Sequence, residues 1–190
     1  MTIAAKSQVF GEVAEPYATM PAPATLSLER SLPAPIDLVW AYLTESGKRA
    51  KWFAGGPMEP REGGAVTLTF RNGDLSGGET NPNGTRPPGG VDHVMQGVII
   101  AYAPPLLLAF NWSSDGTGSE AAFELTSRGP ETRLVVTHRR LDSHKQLLGV
   151  AAGWHTHIGI LIDLLSERPP RRFWPEHARL LKVYEARFAS

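Results

Sequence analysis

The sequence predicts an α+β domain in which a curved antiparallel sheet wraps one long C-terminal helix. Three observations predict it. Thr132 to His138 alternates apolar and polar residues, as a half-buried strand does. After a short polar link come roughly 20 residues with Leu147, Ala151, Trp154, Ile158, Leu161 and Leu165 at helical spacing, an apolar stripe down one face. Upstream, several short strand-like runs follow one another with turn signals between them, which favours antiparallel pairing.

The elements can be taken in order. Residues 1 to 23 are rich in Ala and Pro with little periodicity, and are expected to form a mobile or loosely docked arm. Thr25 to Leu32 is a first strand, ended by Pro33 and Pro35. A helix follows, with Asp37 in its first turn and Ile36, Val39, Trp40 and Leu43 on one face. Lys48 to Phe53 is a second short helix with Trp52 and Phe53 turned inward. Gly63-Gly64 marks a turn, and Ala65 to Phe70 is the next strand.

From 71 to 93 the pattern stops, and Gly, Pro and Asn dominate. A segment this long without periodicity is either a functional loop or a surface insertion. Strands resume at Val94 to Tyr102. Pro104-Pro105 turns the chain into Leu106 to Trp112, where Leu106, Leu108, Phe110 and Trp112 share a face. Ala121, Phe123 and Leu125 share the inner face of the following strand. These elements make one domain over 24–167, with the insertion at 71–93. Pro169-Pro170 stops the long helix. The extension 168–190 holds a short amphipathic helix with Pro175 at its first position and Leu180, Leu181, Tyr184 and Phe188 at helical spacing. That helix covers either its own domain or a second copy, so the chain is expected to be a monomer or a homodimer.

Composition narrows the function classes. The 190 residues carry 19 basic and 19 acidic side chains, so nothing in the charge favours nucleic acid or an anionic membrane. There is no cysteine, which excludes disulfides and thiolate metal sites and fits a cytoplasmic location. No signal peptide is visible, and no apolar run is expected to span a bilayer.

Six pieces in order carry a resemblance to a known family. They are Leu32-Pro-Ala-Pro-Ile-Asp-Leu-Val-Trp40, then Lys51-Trp52-Phe53, Glu62-Gly63-Gly64, Gly97-Val-Ile-Ile-Ala-Tyr-Ala-Pro-Pro105 with Phe110-Asn-Trp112, Thr132 to His138, and Gly153-Trp154 with Ile158 and Leu161. Over Leu26 to Leu165 the chain resembles SRPBCC (START-like, helix-grip) proteins, and among them the branch named after the activator of the heat-shock-protein-90 ATPase. The resemblance implies the helix-grip fold. It leaves function open, because that fold serves lipid carriers, aromatases, cyclases and co-chaperone modules.

A sheet wrapped around a helix can leave a cavity between them. A dry void of ~300 Å³ would cost on the order of 7 kcal/mol, against a total stability of ~5–15 kcal/mol. Such a space is filled either by side chains or by water and ligand. Phe70, Phe110, Trp112, Phe123 and Trp154 are all expected to point inward, and either outcome is compatible with them. His138 continues the inward face of Leu134 and Val136. It is either a satisfied strand-end histidine or a polar partner for a ligand. His157 flanks the apolar stripe three residues after Trp154. His155 lies about 200° around the helix from it, so the two cannot form a metal pair.

No His-x-x-x-His motif, nucleophile elbow or phosphate-binding loop occurs. The expectation is therefore non-enzymatic binding of a small hydrophobic or aromatic molecule, with no cofactor and no metal. Phe70, Phe110, Trp112, Phe123, Trp154 and Leu161 would wall the pocket, and His138 and His157 would supply its polar contacts. Two alternatives stay open. One is a co-chaperone-like module that binds a chaperone or another protein through an outer surface. The other is an aromatase or cyclase that uses His138 for proton transfer.

Overall fold

The computed structural model describes residues 16–79, 90–113 and 115–189. The strands are β1 (Thr19–Ala22), β2 (Thr25–Leu32), β3 (Ala54–Gly55), β4 (Ala65–Phe70), β5 (His93–Ala103), β6 (Leu107–Asn111), β7 (Glu120–Arg128) and β8 (Glu131–Arg139). The helices are α1 (Ile36–Thr44), α2 (Ser46–Arg49), α3 (His144–Leu165) and α4 (Phe173–Arg187). The eight strands form one sheet in the order β1-β2-β8-β7-β6-β5-β4-β3, and every neighbouring pair is antiparallel.

Register follows the alternation of side chains. Leu28 faces Val136, Phe123 faces the same Val136 from the other side, and Ala121 faces His138. All of these are buried, on the face that receives α3. Ser143 caps α3, its hydroxyl accepting from the Gln146 N–H at 3.2 Å. Leu147, Ala151, Trp154, Ile158 and Leu161 are buried, as the stripe predicts. His155, Thr156 and Ile160 on other faces of α3 are buried too, because α4 packs along it. Over its 22 residues α3 is long and apolar enough to cross a membrane by length and composition. The expectation that no segment meets those criteria is corrected here. In this fold the helix is a core element, gripped between the sheet and α4.

Other expectations shift at the edges. Part of the expected N-terminal arm is strand β1, paired with β2, and residues 1 to 15 lie outside the described residues. The second helix ends at Arg49 rather than at Phe53, since the chain turns there into β3. Leu106 is 55% exposed, sitting in the turn before β6 instead of on its inner face. Pro175 is the third residue of α4, still within the first turn where its missing N–H does no harm. Residues 80–89 of the insertion lie outside the described residues. Before them, Asp74–Ser76 forms a short 3₁₀ turn against α4, where the Ser76 hydroxyl accepts from the Trp174 N–H.

Arg49 fixes the corner that places Trp52 and Phe53. It is 2% exposed, and its guanidinium donates to the carbonyls of Thr44 at 2.9 Å, Ala54 at 3.0 Å and Gly56 at 2.5 Å. Burial lowers its pKa to about 10, still leaving it charged at neutral pH. The flat fork spans three carbonyls at once, which a lysine ammonium cannot do. Arg49→Lys is expected to lower unfolding stability by about 2–4 kcal/mol in urea titration. A loss below about 0.5 kcal/mol would contradict this role.

Candidate functional site

Between α3, the sheet and α4 lies a cavity of about 280 Å³. Its aromatic wall is built by Phe53, Phe70, Trp112, Trp154 and Phe173. Trp112 and Trp154 meet edge to face at 5.9 Å, and Phe53 lies 5.0 Å from both Phe70 and Trp154. Strand and helix geometry deliver these rings to one place. Phe70 ends β4, Trp112 follows β6, and Trp154 stands at mid-helix on the stripe. Such ring pairs add about 0.5–1.5 kcal/mol each beyond burial and hold the wall rigid.

The polar groups are ordered by their bonding. The Trp154 indole N–H donates to His138 Nδ1 at 3.1 Å. An indole nitrogen only donates, so Nδ1 carries the lone pair and Nε2 carries the proton. His138 Nε2–H therefore donates to Ser119 Oγ at 2.9 Å. Burial lowers the pKa of His138 to about 4, which keeps the ring neutral. On the other side of the cavity His157 donates Nδ1–H to the Trp52 carbonyl at 2.7 Å. Its pKa is lowered to about 3, by burial above all, with His177 nearby adding to the effect. His177, from α4, is also lowered by burial, and donates to the Gly149 carbonyl. Asn72 lines the cavity with its Oδ1 buried and without a hydrogen-bond partner among the described residues. No Asp, Glu, Lys or Arg is among the described lining residues.

One face of the cavity is bare helix. Gly149 and Gly153 line it one turn apart on α3, and a Cβ built on either would meet no heavy atom within 4 Å. Each glycine costs the helix about 1 kcal/mol relative to alanine, and no steric conflict explains either one. Their effect is to keep space open.

The sequence-predicted residues divide in two. Phe70, Trp112, His138, Trp154 and His157 line the cavity. Phe110, Phe123 and Leu161 do not; all three are at most 1% exposed and pack behind the wall as solid core. Phe53, Asn72, His93, Ser119, Gln146, Gly149, Val150, Gly153, Phe173 and His177 line it without having been named as site residues. The two glycines at helical spacing beside Trp154 were a readable signal. Ser119 was not, because it sits in a polar turn far from His138 in sequence.

A curved antiparallel sheet gripping a long helix defines a helix-grip domain of the SRPBCC superfamily. The chain belongs to the family described as Activator of Hsp90 ATPase homolog 1-like protein, whose family model matches residues 33–166. Among solved structures it is similar to the BPP1335 gene product of Bordetella parapertussis, at 35% identity and TM-score 0.72 over 88% of this chain and 87% of that one. It is also similar to CalU16 from Micromonospora echinospora, at 22% identity and TM-score 0.62 over 90% and 93% of the two chains. DynU16, from the dynemicin biosynthetic locus, matches at 22% identity and TM-score 0.60 over 80% of this chain and 51% of that one. A comparison with the curated proteins finds no match.

The histidines link stability to pH. Their folded pKa values of about 4 and about 3 lie below the ordinary 6.5, so the folded state binds fewer protons between those limits. Stability is complete above pH 6.5 and falls as pH drops from there to the folded values, by up to about 1.4 kcal/mol per pH unit per histidine. Replacing His138 by Gln removes one of these slopes. The urea-derived loss between pH 6.5 and 5 is expected to be about 1–2 kcal/mol smaller in that variant than in the wild type. Equal losses would contradict a neutral buried His138.

Proposed function

We propose that the protein binds a small apolar or aromatic molecule in this cavity and does no chemistry on it. The observation that carries the reading is the pairing of a rigid aromatic wall with the bare Gly149–Gly153 face of α3. At about 280 Å³ the space is close to the small end of ligand pockets. Filling it with side chains would have been simple, since both glycines face open space.

The geometry weighs against the two alternatives. A histidine that serves as a base needs a free lone pair within reach of the substrate. The lone pair of His138 is occupied by the Trp154 N–H, and its other nitrogen is already a donor. A docking module would be expected to present a continuous apolar face. Among the described residues the exposed large hydrophobics, Met20, Leu38, Val94, Ile100 and Leu106, are instead spread over β1, α1, β5 and the turn before β6.

A pair of substitutions separates helix propensity from space. Gly153→Ala is expected to raise stability by about 1 kcal/mol and leave most of the cavity. Gly153→Leu is expected to fill it and to reduce binding of the neutral fluorophore N-phenyl-naphthylamine at least about tenfold, with the fold retained by circular dichroism. Unchanged fluorophore binding in Gly153→Leu would remove the cavity as the binding site.

A further inference from the structure

The bonding pattern around the cavity also says what kind of polar group a ligand brings. Ser119 is 9% exposed and lines the cavity. Its Oγ accepts from His138 Nε2–H, and the hydroxyl has no acceptor of its own among the described residues. The chain Trp154 N–H to His138 to Ser119 runs in one direction, so the Ser119 proton is the terminal donor and is offered to the cavity. His157 is 5% exposed and has the opposite sense. With Nδ1–H donated to the Trp52 carbonyl, Nε2 is left as an acceptor, and no partner for it occurs among the described residues. The two groups are separated by aromatic rings. His138 lies 5.1 Å from Trp112, Trp112 lies 6.4 Å from Phe70, and Phe70 lies 6.3 Å from His157.

We infer that the ligand is an uncharged aromatic molecule with a carbonyl-type acceptor at one end, met by the Ser119 hydroxyl, and a hydroxyl or N–H donor at the other, met by His157 Nε2. This rests on the cavity reading above and adds its polarity. Both poles are neutral, and no Asp, Glu, Lys or Arg is among the described lining residues. A carboxylated ligand would bring a charge into the cavity without a Lys or Arg to pair with it. Reversing either pole would set donor against donor or acceptor against acceptor.

A panel of one-ring probes tests this by isothermal titration and tryptophan fluorescence on the full chain. The panel is para-hydroxyacetophenone, its methyl ether, para-ethylphenol, para-hydroxybenzoate and the apolar para-ethyltoluene. The hydroxyketone is expected to bind about tenfold more tightly than the methyl ether or the ethylphenol, and about 100-fold more tightly than the carboxylate. Ser119→Ala is expected to reduce the preference for the ketone over ethylphenol to less than about twofold while leaving ethyltoluene binding unchanged. If all five probes bind alike, or the carboxylate binds best, the polarity assignment is overturned and the cavity reading survives. If none binds, the apolar probe included, the cavity reading fails and the assignment fails with it.

Discussion

The bond from the Trp154 indole N–H to His138 Nδ1 joins the long helix to the sheet at the place where the domain is hollow. Much else is set by it. It fixes the rotation of α3 about its axis, because only one face of the helix can bring an indole to the inner end of β8. It fixes the tautomer of His138 and, through that ring, the direction of the bond to Ser119. Burial in the same apolar setting keeps the imidazole neutral, since a charged ring there would lack a counter-ion. The same indole packs edge-on against Trp112 and Phe123, so polar and apolar order meet in one side chain.

Around that contact the interior is built in two grades. Phe110, Phe123 and Leu161 form a solid layer with the inner faces of β2, β7 and β8. Beyond Trp112 and Trp154 the packing stops, and α4 closes the far side with Phe173 and His177. Asp163 holds α4 in position. It accepts from the Arg168 guanidinium at 2.8 Å and from Arg171 Nε at 2.8 Å, and these arginines keep its carboxyl below the usual range despite its burial. A dry void of about 280 Å³ would cost on the order of 7 kcal/mol. The polar lining, with an Asn72 Oδ1 that has no partner among the described residues, suits occupation by water or a ligand instead.

The sheet and the helix were legible because alternation and helical spacing are direct projections of burial. Leu134, Val136 and His138 on one side, and Leu147 to Leu161 on the other, needed only period to be placed. The aromatic wall was partly legible, since inward rings can be recognised without knowing which of them meet solid core and which meet space. That distinction depends on what stands opposite. Phe123 meets packed neighbours, whereas Trp112 borders the cavity that the glycines of α3 also line. The partners of His138 and His157 were not legible. Ser119 lies 19 residues from His138, and the Trp52 carbonyl lies 105 residues from His157, brought there by the Arg49 corner. The role of α4 as a wall was equally hidden, because an amphipathic period shows that a helix covers something without showing what.

The central claim is that the space walled by Trp112 and Trp154 is open to a ligand. Indole nitrogen–proton NMR with a titrated neutral aromatic probe addresses it most directly, because the five tryptophans report from different places. The account predicts saturable shifts at Trp112 and Trp154, with Trp40, packed against Tyr102 on another part of the fold, left unmoved. Indole signals that stay fixed throughout, or shifts led by Trp40, would contradict it.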